Sequence, residues 1–193
     1  MSVTEVIQGL HKNDKPAKKY LFENYYGKLF ALVLRYCKSQ AQAVEIFNKA
    51  FNLSIQKLQT LKNTQIDLDD FLEKEVIKET INQIKSLRSE YYVASTVYAV
   101  QKENKNYDLF DANEIIDYYS IDNEILVKAL QQLVPSQRLI FNLHVVEGLS
   151  LEDAAQLLEA SEQTVKSNLE KARFNMQKNI EKSLRQSRHE QSF

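Results

Sequence analysis

Hydrophobic residues recur at steps of three and four along much of the chain, which is the spacing of one buried helix face. In the stretch that starts at Lys15, this spacing predicts a first helix and two more over Ala41–Leu61 and Leu68–Leu87. The inward positions are Leu21, Tyr25, Leu29, Leu32 and Tyr36; then Ala43, Phe47, Phe51, Ile55 and Leu58; then Phe71, Leu72, Ile77, Ile81 and Ile84. The pattern predicts a helical bundle over residues 15–87.

The periodicity is lost over residues 88–120, where positions 101–106 are all polar. This segment is predicted to be a linker between two compact units. A helical pattern returns over residues 121–186, first in a helix that ends before Pro135. Its apolar residues are Ile125, Leu126, Ala129, Leu130 and Leu133. A second helix is predicted over Gln137–Val146, because Gly148 follows and glycine readily ends a helix.

The next segment has the pattern of two capped helices joined by a tight turn. Ser150 can cap a helix over Leu151–Leu158, with Asp153 at the spacing of a capping box. After the turn at Glu159 and Ala160, Ser161 can cap a second helix. Its inward stripe is Val165, Leu169, Ala172 and Met176. This arrangement is typical of a helix-turn-helix, whose second helix enters the major groove of DNA.

The composition supports an all-α fold and no enzymatic site. Only three glycines and two prolines are present, which favours helices with short connections. The single cysteine, Cys37, excludes an internal disulfide, and the apolar stretch Leu29–Leu34 is too short to span a membrane. His11, His144 and His189 lack metal-ligand spacing, and no glycine-rich phosphate loop exists. We expect a cytoplasmic protein with no catalytic residues, no metal, no cofactor and no membrane insertion.

Charge is unevenly distributed, although the formal net charge is only −1. Residues 161–189 contain seven basic and three acidic side chains, whereas residues 87–134 contain four basic and eight acidic ones. A basic end suits a protein that presents one end to phosphate.

The second helix of the helix-turn-helix carries the candidate DNA contacts. They are Ser161, Glu162, Gln163, Thr164, Lys166, Ser167, Lys171 and Arg173. The hydroxyl and amide groups can bond phosphates or base edges, and the cations can neutralise phosphates. The cation that reaches deepest is expected to read guanine. The pattern alone fits equally well a basic, solvated face on an ordinary helical hairpin.

Three segments in this part resemble, in order and spacing, the fourth domain of the sigma-70 family. They are LVPSQRLIFNL at 133–143, VVEGLS at 145–150 and SEQTVKS at 161–167, followed by Ala172-Arg173. The resemblance implies a small extracytoplasmic-function (ECF) sigma factor, two helical domains joined by a linker, and a C-terminal helix-turn-helix of winged-helix-like or domain-four type that binds the minus-thirty-five element. Glu159 stands where the family usually has glycine, so the turn is expected to avoid the glycine conformation. Asn168 replaces a frequent arginine.

The first part is similar to sigma domain two, which binds core RNA polymerase and the minus-ten region. The similarity lies at residues 19–30 and 41–51. It implies core-polymerase contacts at Glu45, Asn48, Lys49 and Phe51, although Lys49 replaces an acid. In the third helix, Glu73, Glu75 and Glu79 lie where the family presents basic residues, so we expect this face to repel phosphate.

Three functions remain open from the sequence. The first is a working sigma factor that binds promoter DNA and core RNA polymerase. The second is a helix-turn-helix regulator that has lost polymerase binding or promoter melting, which Lys49 and the acidic third helix favour. The third is an interaction protein whose helical N-terminal half binds a partner such as an anti-sigma factor, and this is compatible with the first.

Overall fold

The computed structural model describes residues 1–87 and 121–190, and every regular element in these two ranges is a helix. The chain divides into two compact units, Met1–Ser86 and Leu87–Phe193. The prediction of an all-α fold is confirmed. The linker predicted at 88–120 lies outside the described residues. No helix in the described ranges combines the length and the apolar character needed to cross a membrane.

The first unit contains four helices. They are α1 (Val3–His11), α2 (Lys15–Tyr36), α3 (Gln40–Thr60) and α4 (Leu68–Ser86). Side-chain caps set two of the starts: the Ser39 hydroxyl accepts a hydrogen bond from the Gln42 amide at 3.3 Å, and the Asp67 carboxylate accepts one from the Asp70 amide at 3.1 Å. The bounds of α3 and α4 therefore lie within one residue of the predicted ones.

Helix α1 is an element that the sequence analysis does not predict. A capping box starts it: the Ser2 hydroxyl accepts from the Glu5 amide, and the Glu5 carboxylate accepts from the Ser2 amide at 2.7 Å. Its Val6, Ile7 and Leu10 are buried. A Cβ at Gly9 would lie 2.7 Å from the Ala17 Cβ of α2, so glycine allows α1 and α2 to approach closely. The bundle thus begins before residue 15.

The core of the first unit is built from one stripe of each helix. Its largest fully buried side chains are Ile7, Leu10, Leu21, Leu29, Tyr36, Phe47, Leu58, Leu72 and Ile81. Four predicted inward positions are only half-buried: Tyr25 in α2, Ile55 in α3, and Phe71 and Ile77 in α4. In α4 the buried position is Val76 instead, one residue earlier, because the helix is rotated toward that side.

The second unit contains four described α-helices and one π-helical turn. They are α5 (Asn123–Gln131), α6 (Pro135–Phe141), the π-turn Asn142–Val146, α7 (Leu151–Leu158) and α8 (Glu162–Glu190). Pro135 begins α6 because its fixed φ suits the first helical position. The helix predicted from Gln137 therefore starts two residues earlier, and its α-helical part ends at Phe141 rather than Val146. The Glu147 amide bonds the Asn142 carbonyl at 2.8 Å, as a π-turn requires.

Helix α8 forms the centre of the second unit. Its Ala172, Met176 and Ile180 are buried in one cluster with Ala129, Leu130 and Leu133. Two amides fix its position: Asn175 donates to the Gln137 side chain at 2.9 Å, and Asn179 donates to the Ala129 carbonyl at 3.1 Å. The first half of α8 is consequently held by a packed second half.

Candidate nucleic-acid interface

Helix α7 is the first helix of the helix-turn-helix, and Ser150 caps it as predicted. The Ser150 hydroxyl accepts from the Asp153 amide at 3.0 Å and donates to the Asp153 carboxylate at 2.6 Å. Asp153 thus bonds the capping hydroxyl rather than the Ser150 amide, so only one half of a capping box forms. The buried residues of α7 are Ala154, Ala155 and Leu158.

The turn between the two helices uses the left-handed conformation. Glu159 has φ 53° and ψ 44°, and the Ala160 amide bonds the Ala155 carbonyl at 3.0 Å. The expectation that glutamate would avoid the glycine conformation is wrong, because this closure of α7 needs a residue of positive φ. The left-handed conformation costs a non-glycine residue about 1 kcal/mol.

Helix α8 begins at a cap made by two of the predicted DNA contacts. The Ser161 hydroxyl accepts from the Thr164 amide at 3.1 Å, and the two hydroxyl oxygens lie 2.8 Å apart. Ser161 and Thr164 are exposed, but their hydroxyls already take part in folding the helix. Glu162 and Gln163, in the first turn, are also exposed.

Over residues 162–174, one face of α8 is buried, and the opposite face contains no basic residue. Val165, Leu169, Ala172 and Met176 face the core as predicted. Gln163, Ser167, Glu170 and Phe174 follow one another at steps of four, three and four, so they share the outward face, named here the outer stripe. Phe174, 42% exposed, is absent from the contacts predicted by sequence. Its outward position could have been inferred from the sequence, because it lies opposite the stripe predicted to be buried.

The three cations lie on the flanks of the outer stripe. Lys166 and Arg173, seven residues apart, share one flank, and Lys171 lies on the other flank with Thr164. In the described part of the chain, no ion pair between side chains includes Lys166, Lys171 or Arg173. Side chains on the flanks of a helix in the major groove are directed to the phosphates beside it. This placement does not favour the guanine contact expected for the deepest cation.

Asn168 holds α8 to another helix of its unit. Its amide donates to the Thr164 carbonyl at 3.0 Å, and its oxygen lies 3.5 Å from the Ser136 hydroxyl at the start of α6. Asn168 is half-buried there. The replacement of the frequent arginine therefore places a short structural amide at this position instead of a long cation.

Residues 123–174 match the family model described as Sigma-70, region 4. This segment, called region 4 below, is therefore similar to region 4 of the sigma-70 family. Region 4 begins with α5 and includes the whole helix-turn-helix as far as Phe174 of α8. The resemblance drawn from the sequence motifs is thus confirmed, and the outer stripe lies within region 4.

A solved structure shares the fold beyond region 4. It is the co-crystal structure of the sigma factor RpoE in complex with the anti-sigma factor NepR from Bartonella quintana. The similarity has a TM-score of 0.50 and 22% sequence identity, and it covers 86% of this chain and 98% of that chain. The chain therefore has the fold of a sigma factor. No curated protein sequence matches this chain.

The first unit carries the predicted polymerase contacts on α3. Glu45, Asn48 and Lys49 are exposed, and Lys49 forms an ion pair with Glu45 at 3.0 Å. Phe51 is only 6% exposed, and its ring stacks on Phe47 with 5.2 Å between centroids. Three of the four predicted residues thus share one surface, whereas Phe51 belongs mainly to the core.

The carboxylates of α4 are paired with lysines of the neighbouring helices. Glu73 lies 2.6 Å from Lys28 of α2, while Glu75 and Glu79 both bond Lys57 of α3. Each of the three carboxylates thus has a cation beside it, and the expected repulsion of phosphate by this face stays a prediction. The described residues include no group of His, Cys, Asp and Glu arranged to hold a metal ion.

These ion pairs shift the pKa of both lysines. Burial lowers the pKa of Lys57, but the hydrogen bonds that its ammonium group donates to Glu75 and Glu79 outweigh this effect, so the pKa of Lys57 is raised. Hydrogen bonds to Glu73 and Asp69 raise the pKa of Lys28. Both ammonium groups therefore hold their protons more tightly in the folded unit than in the unfolded chain.

Proposed function

We propose that this chain is a sigma factor of the extracytoplasmic-function class, which directs core RNA polymerase to specific promoters in the cytoplasm. The observation that carries the proposal is the match of region 4 to residues 123–174, which contain a capped helix-turn-helix with three cations flanking its outer stripe. The protein catalyses no reaction itself. It positions DNA for the polymerase.

The DNA-binding surface is the exposed side of α8, which binds the minus-thirty-five element. The proposed contacts are Ser161, Glu162, Gln163, Thr164, Lys166, Ser167, Lys171 and Arg173. Lys166, Lys171 and Arg173 neutralise phosphates, because they lie on the flanks of the outer stripe. Gln163 and Ser167 face the base edges, where an amide can bond adenine and a hydroxyl can bond any base. Affinity for DNA should therefore fall steeply with salt.

The polymerase-binding surface is the exposed side of α3. Glu45, Asn48 and Lys49 lie together there, and the buried ring of Phe51 stacks on Phe47 on the core side of the helix. We assign residues 15–87 to the domain that binds polymerase and the minus-ten region, 88–120 to the linker, and 121–186 to the domain that binds the minus-thirty-five region.

An anti-sigma factor is a third proposed partner, besides promoter DNA and core polymerase. The sigma factor RpoE of similar fold was crystallised in complex with its anti-sigma factor NepR. A protein that competes with polymerase for α3 would keep this chain inactive until it is released.

Binding of the full chain to its cognate core polymerase tests the proposal. We expect the two to co-elute on size exclusion, and a second sigma factor to displace the chain. Lys49→Glu, which changes the exposed side of α3, should alter the affinity. Lys19→Glu on α2, whose partner is Glu23, is the matched control and should not. Failure to bind polymerase that is active in transcription would contradict the proposal and favour the helix-turn-helix regulator.

A further inference from the structure

Phe174 is an aromatic residue of α8 whose side chain is exposed to solvent. It is 42% exposed, whereas Ala172 and Met176 on either side of it in the sequence are buried. Phe174 is also absent from the apolar cluster that packs the second half of α8. Packing within the described part of the second unit therefore does not explain an aromatic residue at this position.

The position of Phe174 on the outer stripe relates it to the base-reading side chains. It follows Glu170 by one helical turn and Gln163 by three. Eleven residues of helix rise by about 16 Å, which corresponds to about five steps along a DNA strand. A helix that lies in the major groove with Gln163 at one base pair can thus bring Phe174 to another base pair of the same element.

The chemistry of the major groove narrows what Phe174 can recognise there. Base edges in this groove present hydrogen-bond donors and acceptors, and one apolar group, the C5-methyl of thymine. A phenyl ring cannot hydrogen-bond an edge, but it can cover this methyl group. Glu170, one turn earlier, disfavours close approach of a phosphate, so the adjacent ring is more favourably placed over a base than over the backbone.

We propose that Phe174 is a specificity-determining residue that contacts the C5-methyl of a thymine in the promoter element, about five base pairs from the one contacted by Gln163. The proposal rests on the DNA-binding function of region 4. It adds a base to the recognised sequence and assigns it to a side chain outside the family motifs quoted above.

Replacement of single thymines by deoxyuridine tests this contact, because it removes one methyl group and leaves base pairing unchanged. The duplex is first selected from a random library with the full wild-type chain. Each thymine is then replaced in turn. We expect one replacement to weaken wild-type binding about fourfold, the change for one methyl-sized apolar group. Phe174→Ala should bind the thymine duplex about as weakly, with no further loss on the deoxyuridine duplex.

Two further variants separate this contact from a general loss of fold. Phe174→Leu keeps an apolar side chain and should retain most of the discrimination between thymine and deoxyuridine. Val145→Ala removes another exposed apolar residue of the second unit, outside α8, and should leave that discrimination unchanged. Circular dichroism should be the same for all four proteins.

The outcomes distinguish failure of the DNA-binding function from failure of the Phe174 contact alone. If the wild-type chain selects no duplex and shows no salt-dependent binding, the DNA-binding function fails and this contact fails with it. If the wild-type chain binds a selected duplex but deoxyuridine weakens the binding of Phe174→Ala as much as that of the wild type, the contact alone is overturned. The contact is likewise overturned if the selected duplex contains no thymine that is sensitive to replacement.

Discussion

Lys57 of α3 and Glu79 of α4 are joined by an ion pair of 2.8 Å in which the glutamate side chain is only 13% exposed. The same lysine bonds Glu75, one turn earlier on α4. One ammonium group thus lies beside two carboxylates that are one helical turn apart and reduces the repulsion between them. This contact joins positions that are 22 residues apart along the chain.

Lys57→Met should destabilise the first unit, because it leaves Glu75 and Glu79 half-buried without their shared cation. We expect the free energy of unfolding to fall by about 1–2 kcal/mol, between the values for exposed and buried pairs. Urea denaturation measures it. Lys74→Met is the matched control, since Lys74 and Asp70 form a highly exposed pair, and it should change stability by less than about 0.5 kcal/mol. Equal losses in both variants would contradict the assignment.

Tyr25 should make the first unit less stable at alkaline pH. Burial, together with the charge of Asp69 that its hydroxyl bonds, raises the pKa of Tyr25 to about 12. Since the ordinary pKa is about 10, the folded state keeps the proton between these values and the unfolded state loses it. The free energy of unfolding therefore falls as pH rises from about 10 to about 12. Lys28 and Lys57, with raised pKa values, act in the same direction.

Tyr25→Phe tests this titration directly. The increase in phenolate absorbance near pH 12 should be smaller than in the wild type by the contribution of one tyrosine. Between pH 10 and 12, the free energy of unfolding should fall less steeply than in the wild type. Asp69→Asn removes the charge but keeps the phenol, so the late titration should move to lower pH. An Asp69→Asn absorbance curve identical to that of the wild type would show that Tyr25 does not interact with Asp69 in solution.

Glu159→Gly should stabilise the second unit. Glu159 closes α7 at φ 53°, and glycine adopts this conformation without the steric cost that glutamate bears. We expect a gain of up to about 1 kcal/mol in the free energy of unfolding, measured by thermal and urea denaturation. Gly148→Ala provides the reverse experiment, since Gly148 has φ 76° with open space around it, and it should cost about 1 kcal/mol. A destabilised Glu159→Gly would mean that the glutamate side chain contributes more than its backbone costs.

Lys166→Ala together with Arg173→Ala should weaken DNA binding and reduce its dependence on salt. Each phosphate contact adds about 0.9 to the slope of log affinity against log salt, so the loss of two should lower the slope by about 2. Fluorescence anisotropy over a salt series measures both quantities. Lys128→Ala on α5 is the control, because Lys128 is exposed outside the helix-turn-helix and pairs with Glu124. An unchanged slope would mean that this flank of α8 does not face DNA.

Val165→Asp separates folding from binding on the same helix. Val165 is 2% exposed, one position before Lys166, so a carboxylate there would be buried without a partner. We expect the second unit to lose its cooperative unfolding transition, whereas the Lys166 and Arg173 variants keep theirs. A folded Val165→Asp protein would show that the stripe is not the packed face of α8.

Periodic stripes and caps allow the helices of both units to be predicted with little error. Ser39, Ser150 and Ser161 each precede a helical pattern in the sequence, and each caps its helix in the structure. Helix α1 escapes prediction because its buried set, Val6, Ile7 and Leu10, spans little more than one turn and produces no sustained stripe.

Other features depend on contacts that sequence spacing cannot supply. The pairing of the α4 carboxylates needs lysines from two other helices, so the sequence shows only an acidic row. The outward position of Phe174, by contrast, follows from the buried stripe that the sequence predicts for α8, although Phe174 is not among the predicted DNA contacts. The conformation of Glu159 differs from the expected one for another reason: the closure of the turn outweighs the preference of the residue.

Helix α8 runs without interruption from Glu162 to Glu190, so the side chains proposed to contact DNA belong to the same helix as the core residues Met176 and Ile180. The backbone of Gln163, Lys166 and Phe174 is therefore ordered before any duplex is bound. Ordering a segment on binding reduces affinity, because its conformational entropy is lost at that moment. A recognition helix that is already ordered avoids this loss, so most of the free energy of its contacts with DNA can appear as affinity. A base change in the promoter element should also weaken binding in full, because the rigid helix cannot rearrange locally to compensate for the lost contact.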